Sequence, residues 1–290
     1  MTMNSINTNA QSLIALQNLN TTNAQMSVVQ KRVSTGYRVA DAKDDGGAFA
    51  VAQAVRSDVA GVIAVGEQLG GVKGVLETTF ASLSVVSDTM KQIRAVLTRL
   101  ADAAISSDQR DTYEVQFTLL AKQVSDFIDD STYNGRTLLQ LSLTTATAGT
   151  VTVISGAENG GDITAIRNEG GGTFTINAID GATLKITSTA PASATAAQAF
   201  IASSGTFDVV DVALSTALNK FGASMAFVDN QITYNSKKVD AMEGGLGALV
   251  DADLAKESST LEALKVRQQL GVQTLGLANQ GPQVLLGLFR

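Results

Sequence analysis

The sequence predicts a mainly α fold: a long helical hairpin, or coiled-coil bundle, of paired N- and C-terminal segments with a small β-hairpin-rich insert at its tip. Three observations predict it. Residues 4–33 and 250–289 both carry apolar side chains at helical spacing, with no proline before Pro282. From about 142 to 205 the chain changes character, with few charges and many Gly, Ser and Thr. The composition is 44% apolar but only 5% aromatic, with no Trp. The apolar content is therefore mainly Ala, Val and Leu, which suits thin helix bundles better than a thick globular core.

The terminal stripe comes first. Ile6, Leu13, Leu16, Leu19, Met26, Val29 and Val33 recur at helical intervals, the signature of one helix face. The same segment holds Asn4, Asn7, Asn9, Asn18, Asn20 and Asn23, poor helix formers because their side chains compete for the backbone. This helix gains its stability from packing rather than propensity. Gly36 is the expected stop, and Asp44 or Asp45 the N-cap of the next helix. The acidic run Asp41–Asp45 does not fit a calcium loop, because Lys43 and Ala52 stand where ligands are required.

A long helix is predicted over about 48–101, with Leu76, Phe80, Leu83, Val86 (or Val85), Met90, Ile93, Val96, Leu97 and Leu100 on one face. Gly66, Gly70 and Gly74 recur every fourth residue. Either the helix breaks there, or the glycines form a face where another backbone packs closely, and the spacing favours the second. A shorter helix over 107–130, capped by Ser107 or Asp108, faces inward with Tyr113, Phe117, Leu120, Val124, Phe127 and Ile128. Tyr133-Asn134-Gly135-Arg136 reads as a tight turn. In the insert, 150–154, 173–176 and 183–187 read as strands, Asp180-Gly181 as a hairpin turn between 173–179 and 182–188, and Pro191 with the Ala/Ser/Thr run after it as a linker. Helix resumes over 207–245 through Val209, Val212, Leu218, Phe221, Met225, Val228 and Ile232. Gly244, Gly245 and Gly247 mark a joint. The last helix carries Leu254, Leu261, Leu264, Val272 and Leu275 on one stripe and Ala263, Leu270, Leu277 and Val284 on a second. Two adjacent stripes call for partners on more than one side.

Composition also removes functional classes. A net charge of -6 leaves no basic face for nucleic-acid phosphates, and no Lys/Arg run suits an anionic membrane. With no Cys and no His, thiol and imidazole catalysis and the usual zinc ligand sets are absent; no cofactor or metal is expected. A Ser–Lys or carboxylate-pair enzyme stays formally open, but no motif sets a nucleophile beside a base. Met1–Gln11 lacks the basic region and apolar core of a signal peptide, and no run reaches the ~18 apolar residues of a membrane span. Terminal faces that can be buried only against each other, or against copies of themselves, point to a structural polymer.

Two sets of residues, at opposite ends of the chain, carry a resemblance. One is Ser5-Ile6-Asn7-Thr8-Asn9 with Leu13 and Leu19-Asn20, then Arg32 to Val39 and Ala42 to Asp45. The other is Val228 to Gln231, Asp251 to Glu257 and Ala278 to Leu286. Together they resemble the bacterial flagellins over about 1–140 and 206–290; the insert shows no such match. The resemblance implies a homopolymeric, secreted filament of the extracellular flagellum. Residues 1–45 and 250–290 would form its inner coiled coil, 46–141 and 206–249 its tube wall, and 142–205 a variable outer insert. Axial packing would fall to Ile6, Leu13, Leu16, Leu19, Met26, Val29, Leu254, Leu261, Leu264, Leu270, Val272, Leu275, Leu277 and Val284. Implied partners are a flagellar export chaperone, the export apparatus, and filament cap and hook-junction proteins, with no nucleic acid and no membrane. A hook–filament junction protein shares the terminal helices, but the Asp251–Glu257 and Ala278–Leu286 runs favour a flagellin proper. A secreted adhesive or membrane-active protein is disfavoured by the Asn-rich polar faces and lack of basic residues. Flagellins also carry a helix segment read by an animal innate immune receptor. That segment maps onto Met90–Val96, where Arg94 is kept while Gln92 and Ala95 replace an expected Arg and Glu. Weak or absent receptor signalling is therefore expected. Poor helix formers with apolar stripes imply termini, 1–35 and 255–290, that fold on assembly.

Overall fold

A computed structural model describes residues 9–140, 143–147, 150–154 and 160–287, with side chains over 9–139 and 160–280. The expectations for Ile6 and for the Val284 side chain lie outside these. The chain is mainly α, with long helices and a small strand-bearing insert. Its helices are α1 (Ala10–Thr35), α2 (Gly46–Leu100), α3 (Ser107–Asp129), α4 (Ala194–Ile201), α5 (Thr206–Val250) and α6 (Leu254–Gly287). The strands are β1 (Leu139–Gln140), β2 (Leu143–Thr147), β3 (Thr150–Ile154), β4 (Ile163–Ile166), β5 (Thr173–Ile176) and β6 (Ile179–Asp180). The described residues form two compact units, one of residues up to 59 with those from 240 onward, the other of residues 60–239.

Helix ends follow local chemistry. Asn9 caps α1 by accepting from the Ser12 N–H at 3.1 Å. Gly36, at φ 76°, ends it in the left-handed region, where glycine carries no Cβ penalty. Asp45 accepts from the Ala48 N–H at 3.0 Å and caps α2. The α3 cap is Ser106, one residue before the expected pair, because Gln109 reaches back to close a capping box. Asn134 and Gly135 take φ 49° and 74°, and Tyr133 bridges Arg136, as the turn predicts.

In the 60–239 unit the core is a single apolar cluster. Leu76, Leu83, Val86, Met90, Ile93, Leu97 and Leu100 of α2 meet Phe117, Ala121, Val124 and Ile128 of α3. Val85 faces solvent, so Val86 is the inward residue of that pair. On α5 the buried face is Phe207, Val210, Leu214, Ala217, Phe221 and Val228, whereas Val209 and Val212 are exposed. The stripe starts at Phe207 and runs through Val210 and Leu214 before it joins the predicted Phe221 and Val228. The insert adds Ile163, Ala165, Ile176, Leu184, Ile186 and Ala197 to the same cluster.

The insert departs from its predicted layout. β5 pairs antiparallel with β4, Ile163 opposite Ile176, so the hairpin turns through the loop at 167–172. There Gly171 has φ 78°, and the Asn168 side chain accepts from the Gly172 N–H at 2.7 Å. Asp180-Gly181 makes no hairpin. β6 runs parallel to β1, and 181–184 is a 3-10 turn held by Asp180, whose carboxylate accepts from the Ala182 N–H at 2.9 Å. The 183–187 alternation is real, since Leu184 and Ile186 are buried. It buries a turn in the core instead of pairing a strand. The expected linker after Pro191 holds α4, capped by Ser193, with Phe200 edge-on to Phe117 at 5.9 Å. β2 and β3 form a second hairpin, Leu143 opposite Ile154 and Thr147 opposite Thr150.

In the other unit, α5 passes through Gly244, Gly245 and Gly247 without a break, and the joint falls at 251–253. Residues 36–39 close that joint. The Arg38 and Val39 N–H groups donate to the Val250 carbonyl at 2.7 and 3.2 Å, and the Ala252 N–H to the Gly36 carbonyl at 2.9 Å. Val39, Ala52 and Val250 are buried there.

Candidate functional site

The terminal helices α1 and α6 pack antiparallel. The Asn9 amide donates to the Ala278 carbonyl at 2.7 Å, Ser12 to the Asn279 side chain at 2.8 Å, and the Gln268 amide to Asn23 at 2.8 Å. Arg32 pairs with Glu257 at 3.3 Å. The seam runs through the shielded positions Ser12, Ala15, Leu19, Thr22, Met26, Val29 and Val33 on α1, with Asn23, Lys31 and Arg32 also partly shielded beside it, and through Glu257, Leu261, Leu264, Gln268, Gly271, Leu275 and Ala278 on α6. Both sets alternate three and four residues, the seven-residue repeat of a coiled-coil seam.

The predicted stripe is thus only partly the seam. Leu19, Met26, Val29, Leu261, Leu264 and Leu275 face the partner helix; Val29 is 7% and Leu264 4% exposed. Leu13, Leu16, Leu254, Leu270, Val272 and Leu277 are exposed, Leu13 at 62% and Leu277 at 66%. A stripe drawn through large apolar residues misses the small and polar seam positions, which their unbroken three-four spacing would have revealed. A groove of about 670 Å³ runs beside the seam between Ile14, Leu19, Leu270 and Leu277, flanked by Gln11, Asn18 and Arg267. A second groove, of about 460 Å³, lies along Val28, Val29, Leu264 and Arg32. The Arg32 Nε is buried without an acceptor.

At the end of α1, Lys31 bridges Asp41 at 2.7 Å and Asp44 at 2.9 Å. The ammonium hydrogen bond, followed by the Lys43 N–H, holds the Asp41 carboxyl below its usual range. Lys31 and then the Ala40 N–H do the same for Asp44. Lys31 itself is raised, first by Asp41 and then by Asp44. The acidic run that resembles a calcium loop is therefore a lysine-neutralised turn.

α2 is unbroken at its glycines. A Cβ at Gly66 or Gly70 would meet nothing within 4 Å, whereas one at Gly74 would lie 2.7 Å from Cζ of Tyr133. No second helix backbone approaches this stripe among the described residues; the close neighbour is an aromatic ring, and only at Gly74. Gln92, Arg94 and Ala95 are exposed, and the Arg94 guanidinium lies over the Phe207 ring at 5.2 Å. Among the described residues no cluster of three acidic side chains could hold a metal.

Comparison with known proteins adds the following. Residues 6–144 match the bacterial flagellin N-terminal helical region, and 207–289 the bacterial flagellin C-terminal helical region. Flagellin FljK of Caulobacter vibrioides is 34% identical over 297 residues, covering all of both chains. A flagellin of Brucella melitensis is 31% identical, over 99% of this chain and all of that one. The crystal structure of Bacillus cereus flagellin is similar at 16% identity and a TM-score of 0.34, over 67% of this chain and 94% of that chain.

Proposed function

Because the chain belongs to the bacterial flagellin family, and is a structural subunit of the flagellar filament rather than an enzyme, we propose that its α1–α6 pair supplies the axial contacts of the homopolymer. The supporting observation is the exposed apolar side chains on both flanks of the seam: Leu13 and Leu16 on α1, and Leu270, Val272 and Leu277 on α6. Each such side chain gains roughly 1.5–3 kcal/mol when fully buried. In a helical array of identical subunits that gain repeats at every contact. The test is Leu270→Asp. Subunits should keep the melting behaviour of residues 60–239 and fail to sediment as filaments. Leu264→Asp should also block assembly, by breaking the pair itself. Normal filaments from both variants would remove these faces from the axial contact.

On the same reading, the subunit works outside the cell in three zones. Residues 1–45 with 250–290 form the inner layer, 46–141 with 206–249 the wall, and 142–205 the outward insert. The Gly66–Gly70 stretch then awaits a neighbouring subunit. An export chaperone holds the C-terminal segment before passage through the export apparatus, and cap and hook-junction proteins meet the assembled ends. A chaperone complex that survives deletion of 254–290 would overturn the first of these partner assignments.

At the charged positions of the family pattern, the Met90–Val96 segment keeps only Arg94, with Gln92 and Ala95 at the other two, and Arg94 is engaged by Phe207. Purified subunit should signal weakly or not at all in a receptor reporter-cell assay, and Gln92→Arg with Ala95→Glu should raise the signal. Strong signalling by the unaltered subunit would refute this.

A further inference from the structure

We propose that the groove on one flank of the α1–α6 pair seats a second copy of the chain, which presents the opposite flank of its own pair, so that copies join head to tail. The backbone hydrogen bonds between residues 36–39 and 250–252 fix how the two helices align. A helix turns about 100° per residue, so each side chain then has a set flank. Ile14 and Asn18 on α1 and Arg267, Leu270, Thr274 and Leu277 on α6 line the larger groove. Arg267 also borders the smaller groove along Val28 and Leu264, so the two form one furrow on the same flank. Leu16, Asn20, Val272 and Gly276 step away from the seam in the other direction and fall on the opposite flank. There Leu16 is 43% and Val272 56% exposed. They stand at nearly the same level, since Leu19 lies against Gly271 and Ser12 donates to Asn279. A furrow between two helices accepts the apolar side chains of a third, and both patches occupy the same stretch of the pair. The charges are complementary as well. Arg267 has no carboxylate partner among the described residues, whereas Lys31, toward the opposite flank, is outnumbered by Asp41 and Asp44. Opposite signs steer and orient an encounter. A contact of like flanks pairs two copies and stops, while a contact of opposite flanks gives each copy one seat and one knob and propagates. This inference rests on the homopolymer reading and adds the polarity of its contact.

The chain has no cysteine, so thiols placed on the two flanks report which surfaces meet. Thr274→Cys marks the groove and Asn20→Cys the opposite flank; Asn18→Cys with Gly276→Cys is a second such pair. All four positions are exposed, and a Cβ at Gly276 meets nothing within 4 Å, so filaments should assemble under reducing agent. Sedimented filaments are then treated with a short bismaleimide and run on denaturing gels. A chain carrying both thiols of a pair should lose most of its monomer band to a ladder of two, three and more linked subunits. Each single-thiol chain should stay monomeric, and isolated subunits carrying both thiols should give no ladder. Dimers from the single-thiol chains would mean that like flanks meet, which overturns the head-to-tail contact and leaves the axial-contact reading intact. Filaments that yield no ladder from either pair overturn it too. The axial-contact reading is judged separately, by whether Leu270→Asp still assembles. Leu16→Asp, on the knob side, should block assembly as fully as Leu270→Asp on the groove side; normal filaments from Leu16→Asp alone would show that this flank does not fill the groove.

Discussion

Gly70 and Gly74 sit one turn apart on α2, yet their surroundings give opposite reasons for glycine. Gly70 is exposed with open space around it, while Gly74 lies beneath the Tyr133 ring. Gly70→Ala should stabilise the isolated subunit by up to about 1 kcal/mol in a denaturant titration, the difference in helix propensity. Gly74→Ala should yield less, because the Tyr133 ring must move aside for the new methyl group. Equal gains from both would show that the ring is no obstacle. The Lys31–Asp41–Asp44 turn responds to pH with a definite sign. The Asp44 pKa is lowered on folding from the ordinary 3.8. Its contribution is therefore complete above that value and lost as pH falls through the lower folded-state pKa. Asp41 behaves alike, whereas Lys31, raised on folding, loses its contribution only at strongly alkaline pH. Amide exchange at Ala40 and Asp41, corrected for intrinsic rate, should accelerate below about pH 3.8, and Asp44→Asn should produce the same opening at neutral pH. The turn lies at the surface, with 48% of the Asp41 side chain exposed, so the effect belongs to the turn and not to global stability.

At the scale of elements, α3 carries the clearest energetic consequence. Phe117 is fully buried and meets Phe200 edge-on. Phe117→Ala should cost about 3–5 kcal/mol, seen as a lower denaturation midpoint of the 60–239 unit; a cost under 1 kcal/mol would mean that the cavity collapses. The inward faces of α2 and α3 were legible in the sequence because their large apolar residues keep one period over many turns. So were Gly36, Asp45 and the Asn134-Gly135 turn, where one residue type answers one backbone demand. The insert was less legible. Alternation at 183–187 reports burial on one side, but nothing in it tells a paired strand from an extended turn held by Asp180. Likewise, Gly170-Gly171-Gly172 looks like a separator and is in fact the turn between β4 and β5. The terminal seam was half legible: a reading weighted toward large residues passes over Ser12, Ala15, Gln268 and Gly271, although these positions set how closely the helices approach.

Across the whole molecule, order is unevenly secured. α1 has 26 residues and α6 34, yet of their described side chains only Val29 and Leu264 are buried. Two fully buried side chains do little to offset the conformational entropy of ordering two long helices. Amides in 10–35 and 254–280 should thus exchange quickly in isolated subunits and become protected in filaments, while α3 amides stay slow in both. Protection of α1 and α6 already present in the subunit would refute this. The β2–β3 hairpin has a separate consequence. Its strands pair from Leu143–Ile154 to Thr147–Thr150, so a peptide spliced between Thr147 and Thr150 would enter and leave on neighbouring strands. Each doubling of such an insertion adds only about 0.6 kcal/mol of closure entropy. The hairpin is thereby a grafting port, through which a foreign epitope or enzyme tag could be displayed once per subunit.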